Sequence, residues 1–474
     1  MRRNESWRDV DLRELASRGP VHFVGISGAG MSALAELLLA SGGQVSGCDL
    51  NAGAVGERLR AKGAEVFNQH DPHHVHGATA VITTSAMPLE HPELAAARAA
   101  NIPVLKRAQA LGSLVNRGNV VAVAGTHGKT TTTAMTTAIL EEAGLQPTGF
   151  VGGRVPGWES GLRIGGNDLF VVEADEYDKS FFTLDPNIAI VTTLEADHLD
   201  IYGSFEGVRE AFLQFIDLLP RDGVLIVCND DDGARTLRPR SVPAPDVITY
   251  GIERGADVRA VDIEVRGRGS RFRLQQHGED LGEVLLLVPG HHNVRNATAG
   301  IIAALHAGAP FEAAQRALSR FGGVARRFED LGRHGGIAVV DDYAHHPTEI
   351  RATMSAARAA FAGMRLVAVF QPHLYSRTRD FATEFGAALA AADEVWVTDV
   401  YPAREQPIPG VSGELIVKAA HAAGAANVNY VPDVNQLETS LAGSLKSGDA
   451  CVLMGAGNID QVSHALARRL AEAR

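Results

Sequence analysis

The run Val120-Val-Ala-Val-Ala-Gly125-Thr-His-Gly-Lys129-Thr130-Thr131-Thr-Thr couples an apolar stretch to a glycine loop carrying one lysine and a string of hydroxyls. It reads as a strand that enters a nucleoside-triphosphate loop and continues as a helix. Glycines let the backbone turn tightly, so that its N–H groups and the helix N-terminus face anionic oxygens. Lys129 adds a cation and Thr130 offers a hydroxyl to magnesium. Gly125, Thr126, His127, Gly128, Lys129, Thr130 and Thr131 are therefore the expected triphosphate-binding residues. The loop is the short form G-x-x-G-K-T-T, because Val123 stands where the commoner form has its first glycine. The bland alternative is a glycine turn that happens to precede Lys-Thr.

Such a loop needs an α/β sheet behind it, and the 474-residue chain, 45% hydrophobic, is long enough for about three domains. Forty-four Lys and Arg against 56 Asp and Glu give a net charge of −12. That argues against nucleic acid or an anionic membrane as partner, so a phosphate site must be locally basic. Met1 to Pro20 alternates charges without an apolar core, and the apolar run Ala33 to Ala40 is interrupted by Glu36 and too short to span a bilayer. Neither secretion nor membrane insertion is expected, and a cytoplasmic location is. Cys48, Cys228 and Cys451 are odd in number and in no C-x-x-C arrangement, so neither a disulfide framework nor a zinc site is indicated.

Short β-rich runs (Val21 to Ile26, Gln44 to Cys48, Ala80 to Thr83) alternate with helical patterns (Ser32 to Ala40, Pro92 to Ala100), which implies a parallel Rossmann-like unit over residues 1–118. A second domain, 119–323, contains Leu169 to Glu173, Ile188 to Thr192 and Val224 to Cys228 as buried strands. It also carries a β-rich insertion from about Asp246 to Val288 and a last helix over Phe311 to Arg320. Phe321-Gly-Gly-Val reads as a hinge. A third α/β domain, 324–474, follows with strands Ile337 to Val340, Leu366 to Phe370, Glu394 to Thr398 and Cys451 to Met454.

Near the N-terminus, Gly28-Ala-Gly30-Met-Ser32 follows a strand and opens a helix, with Asp49 downstream. This is a dinucleotide fingerprint, and its physical content is a diphosphate on a helix N-terminus with an acid reaching a ribose. A uridine diphosphate sugar presents the same groups as NAD, and the separate triphosphate loop favours the nucleotide sugar. In the second domain, Glu173 is the first acid beyond a buried strand and suits magnesium, while Asp175, Glu176 and Asp178 read partly as a solvated acidic loop. His198, in Glu195-Ala-Asp197-His198, is either a second metal or phosphate ligand or a structural loop histidine. Asn293 can read an adenine edge or cap its helix. Arg326 and Arg327 suit forked contacts to phosphate. Two polar clusters, Asp341-Asp342-Tyr343-Ala-His345-His346 and Gln371-Pro-His373 through Arg377, lie at strand ends and imply a site facing another domain. The tract His70-Asp-Pro-His73-His74-Val-His76 is not expected to bind a metal, because Pro72 and Gly77 mark an exposed loop and no strand end presents it. Gly455-Ala-Gly457 means little by itself.

Taken in order, these motifs resemble those of the Mur ligases of peptidoglycan synthesis, and the similarity runs nearly end to end. It rests on Gly28-Ala-Gly-Met-Ser, Gly125-Thr-His-Gly-Lys-Thr, Glu173-Ala-Asp-Glu, Glu195-Ala-Asp-His-Leu-Asp, His292-Asn, Arg326-Arg-Phe-Glu, Asp342-Tyr-Ala-His-His-Pro and Phe370-Gln-Pro-His. The resemblance implies a three-domain α/β architecture: an N-terminal Rossmann-like nucleotide-sugar domain, a central P-loop ATPase-like domain and a C-terminal Rossmann-like domain. It implies an ATP- and Mg2+-dependent amide-forming reaction, in which the lactyl carboxylate of UDP-N-acetylmuramate is phosphorylated and then attacked by L-alanine.

By the same resemblance Lys129, His198, Arg326, His345 and His346 are catalytic, and Thr130, Glu173 and His198 hold metal. Asn293, Arg326 and Asp342 join the ATP site. Gly28, Gly30, Ser32, Asp49, Tyr343, His346 and Arg377 bind substrate, with Arg377 the natural partner of the alanine carboxylate. Domain closure over the substrates is implied, and monomer and homodimer both stay open. Some Mur ligases place a carbamylated lysine at the second magnesium. This chain has no lysine between His198 and Arg221, so Glu195 or a water would substitute. The loop Glu176-Tyr-Asp-Lys-Ser-Phe also resembles that of the related ligase that reattaches recycled tripeptide. An NAD-dependent oxidoreductase, suggested by the first fingerprint alone, and a nucleotide-binding regulator without chemistry are the readings from other classes.

Overall fold

Apolar runs without polar alternation pair most readily as strands buried on both faces, and the chain uses them in three largely parallel sheets. The computed structural model describes residues 6–472 other than 89 and 160; the first five residues of the charged N-terminal stretch lie outside the described residues. The protein forms two units, one of 1–259 with 276–279 and 296–317, the other of 260–275, 280–295 and 318–474.

The first unit contains two of the sheets. Strands Val21–Val24, Val45–Cys48, Glu65–Phe67, Ala80–Thr83 and Val104–Lys106 pair in parallel in the spatial order third, second, first, fourth, fifth. Winding reverses between the first and fourth strands, so a crevice opens beyond the end of Val21–Val24, where the first glycine loop begins. The other sheet centres on Asn119–Ala124, buried at every residue but the first. Ile188–Val191, Val224–Cys228 and Asp246–Gly251 extend it on one side, and Leu169–Glu173, Thr148–Phe150 and Leu162–Arg163 on the other. These central pairings are parallel, and the edge pair Thr148–Phe150 with Leu162–Arg163 is antiparallel.

An aromatic cluster anchors the segment that follows Glu176, whose carboxylate reaches Lys129 of the glycine loop. Phe181, in the 3-10 segment Tyr177–Thr183, stacks on Phe215 at 4.9 Å and meets Phe212 edge-on at 5.5 Å. Both partners lie on helix Phe205–Ile216, which starts at Ser204, whose hydroxyl accepts from the Gly207 N–H. Truncating Phe181 would cost about 3–5 kcal/mol and release the acidic loop before it.

In the second unit the strand order is Glu329–His334, Ile337–Asp342, Asp449–Met454, Arg365–Phe370, Glu394–Val397, Val428–Tyr430, with only the first pair antiparallel. Alternate residues serve opposite cores: Val340, Ala368, Phe370, Val452 and Met454 face one, and Val339, Val367, Val369, Cys451 and Leu453 the other. The insertion forms strands Val258–Arg266, Gly269–Gln276 and Glu279–Leu286. Element ends differ from the sequence reading by a few residues: the helix after the first glycine loop begins at Ala29 rather than Ser32, and Phe311–Leu318 stops before Arg320. No described helix is long and apolar enough to cross a membrane.

Candidate active site

The turn after Asn119–Ala124 leads directly into helix Lys129–Glu142. Gly125 has φ +135°, and a β-carbon there would collide with Thr192 Oγ1; at Gly128, φ +84°, it would lie 2.7 Å from Asn296 Oδ1. Both positions exclude side chains and demand backbone that L-residues rarely adopt. Neighbouring segment 192–195 braces the loop: Thr126 N–H donates to Thr193 O (3.0 Å), His127 N–H to Thr193 Oγ1 (2.9 Å) and Glu195 N–H to Thr126 Oγ1 (2.9 Å). Gly128 is the helix N-cap and provides no side-chain acceptor, so the positive end of the helix faces the loop, an arrangement that binds anions.

Lys129 Nζ donates to Gly125 O (2.6 Å) and to both oxygens of Glu176 (2.9 and 2.8 Å). Burial alone would drive off the lysine proton, but the charge of Glu176, with Asp175 and Glu173 behind it, outweighs burial and raises the pKa. The reading of Glu176 as part of a solvated acidic loop is corrected: it is 3% exposed and is the counterion of Lys129. Its neighbours serve other contacts. Asp175 accepts from Tyr177 N–H (3.0 Å), and Asp178 from Ser85 Oγ (2.6 Å) and Lys106 Nζ (3.2 Å) on the first sheet's side of the unit.

Thr130 Oγ1 donates to Glu173 Oε1 (2.9 Å), while Gly152 N–H donates to Oε2 (2.6 Å). A hydroxyl and a carboxylate are hard oxygen donors, and their meeting at the helix N-terminus fits magnesium. His198 had no pairing partner in the linear sequence. In the structure its Nε2 lies 3.9 Å from Glu176 Oε1 and 4.0 Å from Asp197 Oδ2, and its backbone is left-handed at φ +52°. Thus Thr130, Glu173, Glu176, Lys129 and His198 form one cluster.

At the other sheet of this unit, helix Ala29–Ala40 starts from Gly28, again without a side-chain cap. Asp49 accepts from the N–H groups of Ser27 (3.1 Å) and Asn51 (3.0 Å), so it shapes the glycine loop. Ser32 is buried and its hydroxyl turns back to Ala29 O (3.1 Å). A β-carbon on Gly30 would approach Arg107 Cδ to 2.9 Å and Nη1 to 3.1 Å, which places this guanidinium against the first turn of the helix. Sequence reading missed Arg107: a lone arginine opening a distant helix carries no local signal.

The second unit gathers its sequence-predicted residues at one sheet edge, since Ile337–Asp342 and Arg365–Phe370 both flank Asp449–Met454. Buried Asp342 accepts from Phe328 N–H (3.0 Å), Ala344 N–H (2.8 Å) and Thr353 Oγ1 (3.1 Å). Burial pushes its pKa up to about 6 against the pull of Arg327. Arg326, at φ +58°, donates through Nη2 to Gly455 O (2.7 Å) and Gly457 O (3.2 Å), so that glycine pair, read as carrying little, is the seat of a functional-candidate arginine. Tyr343 lies beneath both Arg326 and Arg327, at 4.9 and 5.1 Å from its ring centre. His346 caps helix Pro347–Ala360: its Nδ1 accepts from Thr348 N–H (3.4 Å) and Glu349 accepts from the His346 N–H (3.2 Å). His345 Nδ1 meets Tyr343 O at 2.8 Å. Arg377 is buried on helix Tyr375–Asp380, and Asn293 Nδ2 donates to Pro289 O (2.7 Å).

The histidine tract also differs from expectation. Pro72–Val75 forms a 3-10 turn, and only His73 and His76 are exposed. His70 and His74, at 18% and 10%, turn inward toward Glu93, and strands Val21–Val24 and Val45–Cys48 bring His22 and Cys48 to the same place.

Comparison with known proteins agrees with this geometry. The chain matches the Mur ligase family catalytic domain over residues 20–119, the Mur ligase middle domain over 123–304 and the Mur ligase glutamate ligase domain over 326–457. It is 43% identical to a UDP-N-acetylmuramate–L-alanine ligase of Trichlorobacter lovleyi, over 95% of this chain and 98% of that one. Identity is 45% with the ligase of the same name from Renibacterium salmoninarum, over 97% of each. A solved UDP-N-acetylmuramate–alanine ligase from Thermotoga maritima superposes with a TM-score of 0.80 at 30% identity, covering 96% of this chain and all of the other. With three successive domain models in order and such relatives along nearly its whole length, the chain belongs to the Mur ligase family.

Proposed function

We propose that this chain joins L-alanine to the lactyl carboxylate of UDP-N-acetylmuramate at the expense of ATP, giving ADP and phosphate, in the cytoplasmic synthesis of peptidoglycan precursors. The observation that carries this reading is the pairing of two anion-binding helix N-termini in one unit, one behind Gly125–Lys129 and one behind Gly28–Gly30 with Arg107 against it. A hydride-transfer enzyme needs the second but has no use for the first, and a regulator needs no strand-end carboxylates.

A carboxylate does not acylate an amine in water, because its oxygen is a poor leaving group. Transfer of the γ-phosphoryl group to the lactyl carboxylate breaks the bond to ADP and makes phosphate the leaving group. The alanine amine, having lost a proton, then attacks the acyl carbon and expels it. Lys129 and the loop N–H groups stabilise charge on the β- and γ-phosphates as it develops. Thr130 and Glu173 would hold one magnesium and His198 a second, supplying charge neutralisation at the transferring oxygens. In the second unit Asn293, Arg326 and Asp342 are assigned to adenine, phosphate and ribose. Tyr343, His345, His346 and Arg377 are assigned to alanine, Arg377 facing its carboxylate. Gly28, Gly30 and Asp49 take the uridine nucleotide, and Arg107 joins them. The division into 1–118, 119–323 and 324–474 belongs to the same proposal.

The test is magnesium-dependent phosphate release from ATP with UDP-N-acetylmuramate and, in turn, L-alanine, glycine, L-serine and alanyl-glutamyl-diaminopimelate tripeptide. Release dependent on both sugar nucleotide and L-alanine is expected. Preference for the tripeptide would move the chain to the recycling reaction, and silence with every acceptor would overturn the reading.

A further inference from the structure

Away from the nucleotide loops, six metal-ligating side chains converge inside the N-terminal sheet layer. His22 comes from the first strand, Cys48 from the end of the second, His70 and His74 from the segment after the third, and His91 and Glu93 from the start of helix Pro92–Ala99. We propose that His22 Nε2, Cys48 Sγ, His74 Nδ1 and one Glu93 oxygen bind a single tetrahedral divalent cation of the zinc type.

Geometry is the first argument. The four donor atoms all lie within 4.8 Å of one another; His74 Nδ1 is 3.0 Å and His22 Nε2 3.8 Å from Glu93 Oε1, and Cys48 Sγ is 3.0 Å from Oε2. Tetrahedral zinc with bonds of about 2.0–2.3 Å places its ligand atoms roughly 3.3–3.8 Å apart, so small rotations complete the shell. The second argument is satisfaction of buried polar atoms. His22 is fully buried with Nδ1 2.9 Å from Ser46 Oγ, and its Nε2, facing Glu93, has no hydrogen-bond partner among the described residues. His91 Nδ1 is likewise unpartnered, 3.8 Å from Glu93 Oε2. An orphaned imidazole nitrogen beside a buried carboxylate is costly in a dry core, and a cation between the two removes that cost.

Charge is the third argument. A divalent ion, a thiolate and a carboxylate sum to zero, so the loaded site buries no net charge, and the Cys48 proton leaves to solvent on binding. The outer partners that orient metal ligands are also present: the Ser46 hydroxyl on His22, the Asp71 N–H on Glu93 (3.1 Å) and Phe67 stacked on the His74 ring at 3.9 Å. Mixed nitrogen, sulfur and oxygen donors suit zinc rather than magnesium. The ion would tie two strands, a turn and a helix together one residue from Asp49, which shapes the uridine-nucleotide loop.

The test uses the full chain without a histidine tag, titrated with Co2+ and then Zn2+. One equivalent of Co2+ should give the visible bands of a tetrahedral ion and a thiolate charge-transfer band, both displaced by one equivalent of Zn2+. Cys48→Ser should abolish the charge-transfer band, His74→Ala should weaken binding by about tenfold or more, and His73→Ala, in the same tract but exposed, should change neither. Chelation should lower the melting temperature of the wild-type chain and zinc restore it. Absence of saturable one-to-one binding by the wild-type chain, or a charge-transfer band that survives Cys48→Ser, would overturn the proposal.

Discussion

Lys129 cannot serve a triphosphate while Glu176 holds it. In the structure the ammonium spends two hydrogen bonds on that carboxylate, at 2.9 and 2.8 Å, and one on Gly125 O. Phosphate oxygens arriving at the loop must displace Glu176 from Lys129, and Glu176→Gln isolates the cost of doing so. Glutamine keeps the volume and one acceptor but not the charge. The Coulomb attraction at this distance is about 6 kcal/mol at an effective dielectric of 20, and most of it is offset by the cost of burying the carboxylate. Charge-assisted hydrogen bonds contribute about 1.5–3 kcal/mol and neutral ones about 0.5–1.5, so the substitution removes about 1–2 kcal/mol from the free form.

The nucleotide-bound form, in which the pair is already broken, loses nothing comparable. Affinity for a non-hydrolysable ATP analogue should therefore rise by about five- to thirtyfold, and the free variant should melt earlier than the wild type. Titration calorimetry on both proteins in magnesium measures the first effect, and thermal melting without nucleotide the second. Unchanged affinity together with unchanged melting would refute the premise that nucleotide and Glu176 compete for Lys129. A large loss of affinity would instead show that Glu176 itself holds the nucleotide or its metal.

Lys129→Met, made in the Glu176→Gln background so that no buried carboxylate is left unpaired, should lower the rate of phosphate release by about 10²–10³-fold with the sheet intact by circular dichroism. Arg107→Met should raise KM for the sugar nucleotide about tenfold and leave ATP-analogue affinity unchanged; equal losses for both would remove Arg107 from the diphosphate site. Asp341 and Asp342 are both raised by burial from 3.8 to about 6. The folded state thus binds their protons more tightly than the unfolded one, and the stability they contribute is present below about pH 4 and lost as pH rises through about 6. Each gap is worth at most about 3 kcal/mol. Asp341→Asn should flatten the fall in melting temperature between pH 4 and 6, and a slope identical to the wild type would refute that assignment.

The fold was legible where burial acts on both faces of a strand. Val120 to Ala124, Leu169 to Glu173, Val224 to Cys228 and Leu366 to Phe370 need no partner to reveal themselves, because each is one apolar run ending at a polar or glycine residue. Their lengths and ends transfer almost unchanged to the structure. Helix starts were harder: Ala29 and Gly30 belong to helix Ala29–Ala40, yet a reading that keeps glycines in the phosphate loop begins it at Ser32. There the same residues serve as loop ligand and helix turn, and local propensity cannot separate the two.

Legibility of the site follows how many chain segments must meet. Gly125, Gly128, Lys129 and Thr130 lie within six residues, so their chemistry is written locally, and Glu173 adds only the rule that ligands sit at strand ends. Glu176 lies three residues farther on and looked solvated, because nothing in its own segment shows that Phe181 packs on Phe212 and Phe215 and holds the loop over Lys129. Arg107 at Gly30 needs two segments, and Arg326 on the Gly455 and Gly457 carbonyls needs the C-terminal strand to return beside Ile337–Asp342. The extreme case is the cluster at Glu93, whose ligands come from two strands, a turn and a helix start. The tract of adjacent histidines reads as an exposed loop, which holds for His73 and His76 but not for His70 and His74. The residues that matter are those sheet pairing brings together, with Val24 opposite Cys48 and His22 opposite Ser46. A metal site spread over four segments leaves no spacing to recognise, and it becomes visible only once parallel register has put a histidine and a cysteine on the same face.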